Sequence, residues 1–203
     1  MCFKWIRVFI PLIAFTNMAY SESPASNLSM KLGYGLANYH NEAIWSYSDE
    51  SARDGQMALA AIGYTKKFED FNLTGELFRF IGPSVSGSYN THNTVYRTSN
   101  IWGFSLNPEF KINAESFGYL KVGYAFAKSQ QADDYGYVDY GTIQGGLFGF
   151  GVKLPLSKDV FIGLESFRIG FSRTDPVYSS GWSKYTTNKS TVTFSSVYFS
   201  KHF

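Results

Sequence analysis

Three observations predict an all-β chain that closes as an eight-stranded antiparallel transmembrane β-barrel with short periplasmic turns and long extracellular loops. Eight segments alternate with period two, short and long connections succeed one another strictly between them, and no apolar stretch of helical membrane length follows residue 21.

The start of the chain stands apart from this pattern. In "MCFKWIRVFIPLIAFTNMAYSES", Lys4 and Arg7 precede an apolar run at 8–15, and the small-residue pattern Ala19, Tyr20, Ser21 follows. This is the order of a secretory signal peptide cleaved after Ser21. The run is too short to span a bilayer and Pro11 interrupts it. The chain therefore divides into a signal peptide at 1–21 and an outer-membrane barrel domain at 22–203, which is 182 of the 203 residues and suits one domain. Cleavage removes Cys2, the only cysteine, so disulfides do not hold the mature chain together. Cys2 also stands too early to follow an apolar region as a lipoprotein acylation site. With Lys4 and Arg7 gone, the 18 basic residues fall to 16, matching the 16 acidic ones, and no basic footprint for nucleic acid is left.

The first strand is read in "NLSMKLGYGLANY", where Leu28, Met30, Leu32, Tyr34 and Leu36 face one way and Ser29, Lys31, Gly33 and Gly35 the other. The same reading places strands at 58–68, 71–80, 99–110, 117–128, 145–154, 160–171 and 190–203. Short turns join the second strand to the third ("KKFEDF"), the fourth to the fifth ("KINAES") and the sixth to the seventh ("PLSKD"). Long polar loops join the remaining pairs: "HNEAIWSYSDESARDG", "IGPSVSGSYNTHNTVYR", "SQQADDYGYVDYG" and "RTDPVYSSGWSKYTTNK". A membrane barrel has this division, with tight turns on one rim and long loops on the other.

An eight-stranded barrel is just wide enough inside for side chains, so the inward residues fill it and leave no channel. The inward set includes Lys31, Gly33, Thr74, Glu76, Lys121, Gly123, Lys153 and Glu165. Charges of both signs in so narrow a space predict a lumen network of Lys31, Glu76, Lys121 and Glu165, because a lone buried charge is expensive. Its plain reading is structural. The outward set includes Tyr64, Trp102, Phe104, Leu106, Val122, Tyr124, Phe126, Phe148, Phe150 and Val152, and its aromatics belong at the headgroup level. In the seventh strand Ile162 and Leu164 follow one face while Phe167, Ile169 and Phe171 follow the other. A bulge near Ser166 and an extension above the bilayer both account for the change.

The alternation of turns and loops, "MKLGYG" in the first strand, "EFKINAESFGYLKVGYAFAK" and "FGFGVKLPLSKDVFIGLES" across two short turns, and the terminal Phe203 resemble the small outer-membrane barrels that include the OmpA membrane domain, OmpX and Ail. The resemblance covers essentially the whole mature chain. It implies that the last strand, through Val197, Phe199 and Phe203, is the signal read by the barrel assembly machinery. Lys201 departs from the apolar or aromatic residue usual at the third position from the end. The resemblance also implies outer-membrane lipid and lipopolysaccharide as surroundings.

Some small barrels of this kind act on lipids, and a hydrolase needs a histidine within reach of a nucleophile. The three histidines are His40, His92 and His202, and no His-x-Ser pair stands on a strand; His92 and Thr94 fall in a loop. Asp133, Asp134 and Asp139 form an acidic cluster without the spacing of a calcium loop, and read as a solvated loop. The glycines of "YGTIQGGLFGFGVK" open no strand-to-helix unit and so bind no phosphate. The chain is read as no enzyme and as needing no metal or cofactor.

Function is expected in the long loops. Trp45, Tyr47, Tyr89, Tyr96, Tyr135, Tyr137, Tyr140, Tyr178, Trp182 and Tyr185 stand there among Ser, Gly, Asn and Thr. Rigid rings for area and small polar residues for hydrogen bonds make a binding surface. In the adhesin branch of the resembling family such loops bind host proteins, and the expected function is a surface protein of adhesin or colonisation type whose loops bind host surface or matrix proteins or envelope molecules. The alternatives are a structural envelope barrel and a lipid A-modifying enzyme. The same aromatics also serve if they only extend strands above the membrane.

Overall fold

The computed structural model describes residues 27–43, 51–82, 85–89, 94–113, 116–133, 136–179 and 182–203. The expected signal peptide lies outside them. Alternating side chains leave each strand one face for the lumen and one for the surroundings, and the strands pair along their whole apolar lengths. They are β1 (Leu28–Ala43), β2 (Ser51–Lys67), β3 (Phe71–Ile81), β4 (Val85–Tyr89), β5 (Thr94–Lys111), β6 (Phe117–Asp133), β7 (Gly136–Pro155), β8 (Val160–Ser179) and β9 (Trp182–His202). Every pairing is antiparallel, and the order β3-β2-β1-β9-β8-β7-β6-β5 is closed by β3 against β5. The short β4 pairs with the outer part of β5 and continues the stave that β3 begins, so the barrel has eight staves. The stave breaks after Ile81 at Gly82, whose φ of 141° is open only to glycine.

The register fixes the tilt. One row of partners runs from Asn38 through Thr193, Arg168, Phe148, Val122, Leu106, Gly75 and Tyr64 and returns to β1 at Leu28. That point is ten residues below its start, which is the stagger that closing the sheet requires. The seam between the first and last strands is held to the end of the chain, where the Phe203 N–H donates to the Leu28 carbonyl at 2.9 Å.

The burial pattern is inside out relative to a soluble domain. Lys121 has no exposed surface, while Phe150 is 62 % exposed and Phe148 and Leu36 are each 61 % exposed. Apolar side chains band the exterior on every stave, from Leu28 to Leu36 on β1 and from Leu154 to Phe148 on β7. Such a band is stable only in lipid. Trp102 stacks on Phe126 at 4.6 Å toward the long-hairpin rim, and Phe68 stacks on Phe71 at 4.7 Å at the short-turn rim, so aromatics mark both edges.

β8 resolves the uneven alternation of the seventh strand. Its ladders to β7 and β9 run without a break past Ser166, and Gly163, Glu165, Phe167, Ile169 and Phe171 all face inward. Of the two readings offered for the change of phase, a bulge near Ser166 is absent; the lumen lining itself turns from polar to apolar. The real phase slips lie elsewhere. On β5, Ser99 pairs with Lys128 but Trp102 with Phe126, and Asn100 takes a φ of 50°, which places both Thr98 and Ile101 inside. On β7 the pairing jumps between Asp139 and Gly141, leaving Tyr140 as the additional residue.

The apolar half of the lumen packs Phe78, Phe80, Phe167 and Phe194 among Leu59, Ile101, Ile169 and Val192. The ring centroids of Phe80 and Phe194 lie 4.8 Å apart, and those of Phe167 and Phe194 5.5 Å apart. These rings span the cross-section. Phe194 has no exposed surface, so Phe194→Ala is expected to destabilise the folded barrel by about 3–5 kcal/mol. Denaturant titration of the barrel in lipid vesicles, followed by tryptophan fluorescence, checks this. A loss below about 1 kcal/mol would mean that the plug is loosely packed.

Candidate functional site

Two regions concentrate side chains with chemistry: the polar half of the lumen and the hairpins beyond the apolar band. The first is built by inward positions on four staves. Lys31 on β1 lies 2.8 Å from Glu76 Oε1 and 3.0 Å from Glu165 Oε2. Lys121 on β6 lies 2.7 Å from Glu76 Oε1 and 3.4 Å from Glu165 Oε2. Each ammonium thus touches both carboxylates, and the four charges form a ring of alternating sign. The Asn107 amide donates to Glu76 Oε2 at 3.0 Å and the Tyr119 hydroxyl donates to Glu165 Oε2 at 3.0 Å. Aromatic faces complete the shell: the Tyr198 ring lies 4.9 Å from Lys31 Nζ, and the Phe167 ring 5.1 Å from Lys121 Nζ.

A second tier lies nearer the short turns. Lys153 Nζ donates to Glu109 Oε2 at 2.6 Å, and Thr74 Oγ1 donates to Glu109 Oε1 at 2.8 Å. Thr74 also shares a 2.8 Å hydrogen bond with Thr65. A cavity of about 30 Å³, one water in size, opens between the tiers beside Asn107, Tyr119, Tyr198 and His202.

Two glycines make the tyrosine positions possible. A Cβ at Gly151 would collide with the Tyr119 ring, and one at Gly163 with the Tyr198 ring. The rings lie flat over bare backbone, and Tyr119 thereby reaches Glu165.

All four residues of the expected lumen network stand in the one ring. Sequence reasoning passed over Asn107, Glu109, Tyr119 and Tyr198. Their signal was present, since Tyr119 and Lys121 share a face by period two and so do Asn107 and Glu109, but a ring on an inward position reads as a membrane aromatic. His40, on β1 beside Ala52 and Thr191, and His202, at the short-turn mouth, lie at opposite ends of the barrel. His92 and Asp134 lie outside the described residues, while Asp133 ends β6 and Asp139 lies on β7.

The second region is longer in strand than the polar sequence implied. Most of 129–141 and 173–189, expected as loops, is ladder: β6–β7 pairs out to Asp133↔Gly136 and β8–β9 to Ser179↔Trp182. Beyond the apolar band no lipid face enforces an apolar alternation on such strands, so their pattern is silent. Trp45, Tyr47 and Tyr135 lie outside the described residues. Tyr89 ends β4 and Tyr96 pairs with both Gly87 and Gln131. Tyr137 pairs with Ala132, Tyr178 with Ser183 and Tyr185 with Pro176; Tyr140 occupies the β7 bulge and Trp182 opens β9. Val197 and Phe199 lie on β9 one turn of the pleat apart, facing lipid, and Phe203 closes the seam.

A closed barrel of eight staves, a stagger of ten, a lipid-facing band and a filled lumen are together diagnostic of architecture. The chain has the fold of the small outer-membrane β-barrels. Neisserial surface protein A superposes with a TM-score of 0.52 at 12 % identity, over 89 % of this chain and 100 % of that one. The outer-membrane protein AlkL gives 0.51 at 10 % identity, over 92 % and 95 %. OprG of Pseudomonas aeruginosa gives 0.50 at 8 %, over 88 % and 98 %. No family model and no curated protein sequence matches the chain. The likeness to these small outer-membrane barrels is one of fold.

In such a barrel the charge ring is held by mutual pairing in a lumen closed above by phenyl rings. Removing Lys121 leaves Glu76 and Glu165 to share the single ammonium of Lys31. Lys121→Met is expected to destabilise the barrel by about 3–5 kcal/mol, measured by urea unfolding in vesicles, whereas the exposed Lys158→Met should change it by less than about 0.5 kcal/mol.

Proposed function

We propose that the protein is an integral outer-membrane protein that acts as a surface binding module of adhesin type. The packed barrel is a rigid pedestal, and the hairpins beyond the lipid band engage host surface or matrix proteins. The observation that carries this reading is the unequal length of the ladders. Among the described residues the β7–β8 ladder ends at Gln144↔Ser172, whereas β8 and β9 remain paired for a further seven residues of β8, to Ser179. At about 3.4 Å per residue β8 and β9 run on together for roughly 24 Å, measured along the tilted strand, past the last pairing with β7.

Such a hairpin presents a strand edge, to which an extended segment of another protein adds by backbone hydrogen bonds. Tyr178, Trp182 and Tyr185 on it, with Tyr137 and Tyr140 on β7 and Tyr89 and Tyr96 on the β4–β5 hairpin, supply aromatic area among small polar residues. Export through the segment 1–21 and assembly through Val197, Phe199 and Phe203 belong to the same proposal. A filled lumen favours binding at the rim over conduction through the barrel.

The test compares the mature barrel in nanodiscs with a variant lacking 174–187 and 131–139, against immobilised matrix proteins and epithelial cells. Because Ser172 pairs with Lys189, the joined Arg173 and Asn188 can form a two-residue turn that keeps the register. The account expects at least a tenfold loss of binding, about 1.4 kcal/mol, with heat-modifiable gel mobility retained. Binding by neither form would move the assignment to a structural role in the envelope.

A further inference from the structure

Arg79 stands on the lipid face level with Trp102, near the long-hairpin edge of the band. It points outward on β3 between Leu77 and Ile81, which are 55 % and 54 % exposed to the lipid side, and it lies in a row between Ala60 and Trp102. No carboxylate pairs with it among the described residues. A cation on the lipid face of a barrel is destabilising unless it reaches the interface or an anion reaches it. The other outward arginine of the band, Arg168, differs: its Nη2 donates to Thr191 Oγ1 at 3.3 Å, beside Ser166 and Ser195, which bond each other at 2.8 Å.

Beside Arg79 the wall is indented. The small side chain of Ala60 forms the floor of a groove of about 450 Å³, lined by Leu32, Ile62, Leu77, Trp102 and Arg79 itself. The groove crosses four staves, and its row Leu32, Ala60, Arg79 and Trp102 lies nearer the long-hairpin edge than its row Met30, Ile62 and Leu77. An apolar trough ending at an unpaired guanidinium and an indole is complementary to one amphiphile: an acyl chain below and a phosphate above.

We propose that this groove binds one phosphorylated glycolipid of the lipid A class from the external leaflet, its phosphate on Arg79 and one acyl chain over Ala60. The choice of leaflet rests on the outer-membrane reading, because the guanidinium lies on the long-hairpin side. Binding here is separate from binding at the hairpins and uses none of their residues.

The barrel is refolded in detergent, mixed with diphosphoryl lipid A, dephosphorylated lipid A or phosphatidylglycerol, and examined by native mass spectrometry. The wild type is expected to retain one diphosphoryl lipid A. Arg79→Leu should retain at least tenfold less, Ala60→Phe should lose it by filling the groove with the charge intact, and Arg168→Leu should behave as wild type. Gel mobility confirms that each variant is folded. In phosphatidylcholine vesicles without lipid A, Arg79→Leu should be at least as stable as wild type, and added lipid A should stabilise only the wild type. Equal retention by Arg79→Leu, or of the dephosphorylated lipid, overturns the phosphate assignment. Phosphatidylglycerol retained as well as lipid A overturns the glycolipid, and a dimer abolished by Ala60→Phe would assign the face to a second copy. Since these readouts omit the hairpins, failure here leaves the host-binding test standing, and the reverse holds.

Discussion

The alternating ring of Lys31, Glu76, Lys121 and Glu165 is the interaction on which the rest of the structure depends. Lipid outside and a narrow lumen inside, open beside Lys31 and Glu76 to a cavity only one water in size, leave these charges to be met chiefly by one another. They come from β1, β3, β6 and β8, and therefore tie opposite walls of the barrel together. A change of register by one residue on any of these strands would carry its charge into the lipid and orphan two partners. The ring thus selects the register as well as filling the space.

Above the ring the lumen changes character. Phe78 and Phe167 face Lys121 from the apolar side, so the same rings that begin the hydrophobic plug also shield the ammonium. Below it, Lys153 and Glu109 repeat the pairing at the short-turn mouth. The lumen is filled through its membrane height, and the sites proposed for binding lie outside it, in the groove beside Arg79 and on the hairpins beyond the band. The proposed binding surface, held on such a base, would lose little freedom on contact.

Much of this was legible in the sequence. Period-two alternation located the staves because lipid on one side and side chains on the other enforce it at every step, and the short turns located one rim. The four ring residues could be named because each lies in phase with small inward neighbours such as Gly33 and Gly123. Three features were not legible. The apolar lining of β8 looked like a slip of phase, because Phe167 inside a barrel and Phe167 facing lipid are the same letter. The bulges at Asn100 and Tyr140 depend on backbone geometry, which Asn and the following Gly141 permit without announcing it. The strand extensions were hidden because ladders beyond the apolar band need carry no alternation to read.

The most direct test is whether the ring acts as one unit. A double-mutant cycle on Lys121→Met and Glu165→Gln, with unfolding free energies measured in vesicles, isolates their coupling. The two changes together should cost less than the sum of the singles by about 0.5–3 kcal/mol, because the second removes a charge the first has already stranded. Additive losses within about 0.3 kcal/mol would show that the four charges stand independently, and the ring would lose its place as the determinant of register.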